Sequence, residues 1–156
     1  MARFTDNEKR EWVVSLDVTT LKRVKQAVDV DLNDMLDNRL IERLIADPVL
    51  LCDVLYVVCQ QQAEASSVDD ESFGRALAGD ALDHATRALL EACADFTPFP
   101  KHRANIRVLI EKTRMAVDRV CEVIEARLDS GEVEAAIESE LAKYGKPSTA
   151  APESSE

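Results

Sequence analysis

A chain of 156 residues with 46% hydrophobic and only 4% aromatic residues fits one domain of ordinary size, with a core built from Leu, Val, Ile and Ala. Four glycines and five prolines are too few for a turn-rich β fold, so the composition favours helices. A net charge of −11 and a pI near 4.7 disfavour nucleic-acid backbones and anionic membrane surfaces as partners.

The chain opens differently from the way it continues. Asp6-Asn7-Glu8-Lys9 is a turn-like polar cluster. The run Glu11 to Leu16 that follows is rich in β formers, with Trp12, Val14 and Leu16 on one face. Residues 1–17 are therefore expected to form a β-hairpin, which needs a helix beneath it or a strand of another subunit beside it. Asp17 to Thr20 supplies N-cap oxygens for a first helix carrying Val18, Leu21, Val24 and Val28. Asp29-Val30-Asp31 breaks it, and a second helix is predicted from Leu32 to Ile45, with Leu32, Met35, Leu36, Leu40 and Leu44 as its stripe. Asp47-Pro48 places an acceptor at the N-cap and proline at the first helical position. The helix from Pro48 to about Ala65 is apolar on most sides, which suits a central core helix.

A short helix is predicted from Ser67 to Leu77. A longer one follows from Asp80 to about Phe96, with Leu82, Ala85, Leu89, Leu90 and Cys93 inward. Phe96-Thr97-Pro98-Phe99-Pro100 is a stiff connector. In the longest predicted helix, Lys101 to Asp129, the residues Ile106, Ile110, Thr113, Val117, Val120, Ile124 and Arg127 recur at alternating spacings of four and three. Leu109, Cys121 and Leu128 widen that seam, which suits a bundle neighbour or a contact between chains. Ser130-Gly131 stops it. An acidic helix follows from Glu132 to Tyr144 with Val133, Ile137 and Leu141 on one side, and the segment from 145 to 156 is expected to be disordered. The predicted fold is mainly α: an N-terminal hairpin (1–17), a compact helical bundle with one long C-terminal helix (18–144), and a disordered end (145–156).

Charge is uneven. Between residues 101 and 119 six basic residues face two acidic ones, a net +4, so the remainder carries −15. This basic run suits the protein's own acidic helices or an acidic partner. It lacks interleaved aromatic residues for stacking bases, which disfavours nucleic acid. The N-terminus, Met1-Ala2-Arg3-Phe4-Thr5-Asp6, carries polar and charged residues from the start, so no signal peptide is expected. The most apolar stretch, Pro48 to Cys59, is too short to span a bilayer and contains Asp53. Cys52, Cys59, Cys93 and Cys121 all fall in apolar helical patterns and are expected to be reduced core thiols of a cytoplasmic protein.

Residues for chemistry are sparse. Cys52 and Cys59 lie two turns apart, about 10 Å along a helix, with no accompanying Cys-His pair for zinc. His84 and His102, the two histidines, stand beside no evident nucleophile. The acidic segment Ser67 to Phe73 lacks the ligand alternation and central glycine of a calcium loop, and the four glycines are isolated, so no phosphate loop is present. The expectation is a protein without cofactor, metal or catalytic residues that acts by binding another protein.

The order of elements resembles a bacteriophage or prophage tail assembly chaperone across roughly residues 3–128. The resemblance is carried by Phe4 through Leu16 followed by Thr19 to Val24, by Val28-Asp29-Val30-Asp31-Leu32, by the apolar stretch Asp47 to Tyr56, and by Phe73 to Leu82 and Ala88 to Phe96. It implies a chaperone that binds the long helical tape measure protein and keeps it soluble during tail assembly, in the host cytoplasm. A structural or connector component of the particle is the alternative, with another phage structural protein as partner. Either role is compatible with a homo-oligomer. The candidate contact residues are Trp12 and Val14 on the hairpin and Ile106, Ile110 and Val117 on the long-helix seam.

Overall fold

The computed structural model describes residues 1–36 and 38–145, apart from the side chains of residues 36 and 38. The segment 146–156, expected to be disordered, lies outside the described residues. The order is β1 (Ala2–Thr5), β2 (Glu11–Val14), α1 (Val18–Val28), a 3-10 segment (Leu32–Leu36), α2 (Asn38–Ala46), α3 (Pro48–Ala65), α4 (Asp70–Ala76), α5 (Asp80–Phe96), α6 (Pro100–Asp129) and α7 (Glu132–Tyr144). The mainly helical fold with an N-terminal hairpin is the one the sequence predicts.

The chain divides within α6 into two units, Met1–Thr113 and Arg114–Glu156. The first is built around one core. The strands pair antiparallel with Phe4 opposite Trp12 and Ala2 opposite Val14, so the alternation of side chains puts all four on one buried face. The hairpin thus belongs to the same core as the helices: Val24, Ile41, Leu44, Val54, Leu55, Phe73 and Leu89 complete it, each fully or almost fully buried. Trp12 and Tyr56 both meet the Phe73 ring edge-on, at 4.9 and 5.5 Å between centroids.

Asp6 organises the turn. Its carboxylate accepts hydrogen bonds from the backbone N–H of Glu8 and Arg10, from Arg10 Nε and from Trp12 Nε1, all at 2.8–2.9 Å. Burial pushes this carboxyl's pKa up, but the hydrogen bonds from Trp12 and Arg10 and the Arg10 charge outweigh it, leaving it below the ordinary value. The free edge of β2 is met by a side chain: Gln62 Oε1 accepts from Val13 N–H, and Gln62 Nε2 donates to the Val13 carbonyl at 2.7 Å.

The helix starts follow the capping residues. Asp17, Asp47 and Asp69 each accept a backbone N–H at the start of α1, α3 and α4, and Pro48 opens α3. One prediction is corrected: the segment from Leu32 to Ile45 does not begin as an α-helix. A 3-10 segment ends at Leu36 and α2 begins at Asn38. Asp31 accepts from the backbone and side-chain amides of Asn33, a local turn that competes with α-helical hydrogen bonding.

In the second unit no described residue, from 114 to 145, is buried. Its helical content is the end of α6 and all of α7, joined through Gly131 at φ 72°, in the left-handed region glycine adopts without strain.

Candidate protein-binding surface

The five contact residues read from the sequence do not share one environment. Trp12, Val14 and Ile106 are only 1–2% exposed. They are structural parts of the first unit's core and offer no free contact surface. Ile110 is partly buried against that core. Val117, at 43% exposure, is the member of the set that faces solvent. Side-chain spacing cannot separate these cases, because a heptad stripe is the same in sequence whether its own chain covers it or not.

The open apolar surface lies farther along the chain. On the last half of α6, Val120, Val123, Ile124 and Leu128 are each more than half exposed. On α7, Val133, Ile137, Leu141 and Tyr144 are exposed and follow one another at helical spacing. With Arg127, Ala136 and the acidic pair Glu132 and Glu140, they line an open groove. Contiguous exposed apolar side chains rimmed by charge are the kind of surface found at protein, membrane and ligand contact sites. The sequence already held this signal, since Val133, Ile137 and Leu141 stand on one side of the acidic helix.

The basic run has a mixed fate. Arg107 pairs with Asp95 at 2.7 Å, and Arg103 donates to the Thr97 carbonyl. Lys101, Lys112, Arg114 and Arg119 form no ion pair among the described residues.

His84 and His102 are exposed, the latter against the Phe99 ring at 5.4 Å. Cys59 and Cys93 are buried, and desolvation pushes both thiols up to about 12, so neither supplies a thiolate near neutrality. Cys52 is half-buried and also shifted upward, by burial first and then by Asp70 and Asp53. Cys121 departs from the sequence reading: it is exposed on α6 and is no core thiol. Among the described residues no group of three His, Cys, Asp or Glu side chains could hold a metal ion. No helix there is long and apolar enough to cross a membrane. No protein-family model matches the chain, and no curated protein or solved structure is significantly similar to it.

Proposed function

We propose that this protein is a non-catalytic chaperone that covers apolar helical segments of another polypeptide, and that its client is the tape measure protein of a phage or prophage tail. One observation carries the reading. The apolar row Val133, Ile137, Leu141 and Tyr144 on α7 is exposed in a unit where no described residue is buried. An apolar row of this kind gains free energy when a second amphipathic helix lies against it, by about 1.5–3 kcal/mol for each large side chain fully removed from water. The acidic surroundings keep such a complex soluble: α7 itself carries four glutamates against one lysine. The order of hairpin and helices, which resembles that of tail assembly chaperones, supplies the client.

The test is co-expression of the full chain with the tape measure protein of the same phage. The client should move from the insoluble to the soluble fraction and co-purify. Ile137→Glu combined with Leu141→Glu should abolish this while the first unit stays folded. Abundant protein in purified particles would instead favour the structural or connector role.

A further inference from the structure

We propose that the apolar seam on the last half of α6 joins copies of this chain to one another, side by side and in parallel. This goes beyond the chaperone reading, since it requires no foreign polypeptide. Val117, Val120 and Ile124 repeat at spacings of three and four, and they are 43, 58 and 52% exposed. Cys121 and Leu128 broaden the stripe on one side, and Ala116 and Val123 on the other, all of them exposed. A helix with no packing partner is marginal in water. A stripe this broad exceeds the narrow seam that one partner helix covers, and suits a bundle of several.

Charge selects the occupant. Along the edge beyond Cys121 and Leu128 stand Glu111, Asp118 and Glu125, offset by Arg114, a net −2. Along the edge beyond Ala116 and Val123 stand Lys112 and Arg119, a net +2. Lys112 and Arg119 have no ion-pair partner among the described residues. The helix therefore carries both halves of a complementary pair on its two borders. Parallel copies bring the acidic border of one against the basic border of the next. Antiparallel copies set like against like, which costs free energy and suppresses that pairing. Arg127 closes the seam, its guanidinium turned to Glu132 at 3.9 Å.

The test is sedimentation of the full chain over a wide concentration range. Concentration-dependent oligomers are expected, and Val120→Glu should remove them. The emission of buried Trp12 should stay unchanged, showing that the core of the first unit is intact. Lys112→Glu with Arg119→Glu should weaken self-association about tenfold. Mixing that variant with Asp118→Lys plus Glu125→Lys should restore assembly. For orientation, Cys121→Ser is combined with Val117→Cys or Ile124→Cys. Each should cross-link to its own kind under mild oxidation. A chain that sediments as a monomer at every concentration overturns the proposal. So does cross-linking of Val117→Cys only to Ile124→Cys, which is the antiparallel pattern.

Discussion

Ile106 and Ile124 belong to one helix and to one heptad seam, yet the first is 2% exposed and the second 52%. The unit holding Ile106 brings a hairpin and five further helices around a shared core. The unit holding Ile124 buries none of its described residues. The same aliphatic pattern thus serves two purposes. In the first unit it is consumed in holding the chain together. In the second it remains on offer. Substitutions should therefore act on stability in one region and on association in the other.

The largest effect is expected at Trp12. Trp12→Ala removes a side chain packed on Phe73 and should lower stability by about 3–5 kcal/mol, measured by chemical denaturation followed by circular dichroism. A change near zero would mean the hairpin is not part of the core. A smaller loss, about 2 kcal/mol, is expected for Asp6→Ala, which leaves the Trp12 and Arg10 donors without their acceptor. Its pH dependence has a definite sign. Because the folded pKa of Asp6 lies below the ordinary 3.8, its stabilisation is complete above that value. It is lost as pH falls through the lower folded value, so the gap between wild type and Asp6→Ala should narrow below about pH 4. The smallest effect is expected at Ile124. In dilute solution Ile124→Ala should shift stability by less than about 0.5 kcal/mol. A loss comparable with that at Trp12 would erase the distinction between the two units.

Much of the fold was legible because its signals are local. Asp47-Pro48 marks the start of α3, and the alternation of Trp12 and Val14 marks a one-sided strand. The 3-10 start of the Leu32 to Ile45 segment was not legible, since the apolar spacing runs through it and the competing turn is made by the side chains of Asp31 and Asn33. The exposed apolar surface was half legible. Periodicity found the seam of α6 but could not tell covered Ile106 from open Val117, nor a core cysteine from exposed Cys121. That difference is set by where other elements of the chain happen to pack, which is not written in the seam itself.

The amide of Gln62 has a bearing on how this molecule meets others. By taking both the donor and the acceptor of Val13, it occupies a rung where an intruding strand would begin to zip. Growth of the ribbon past β2 would first require evicting that side chain. Addition of a third strand along β2 is thereby made harder at this residue.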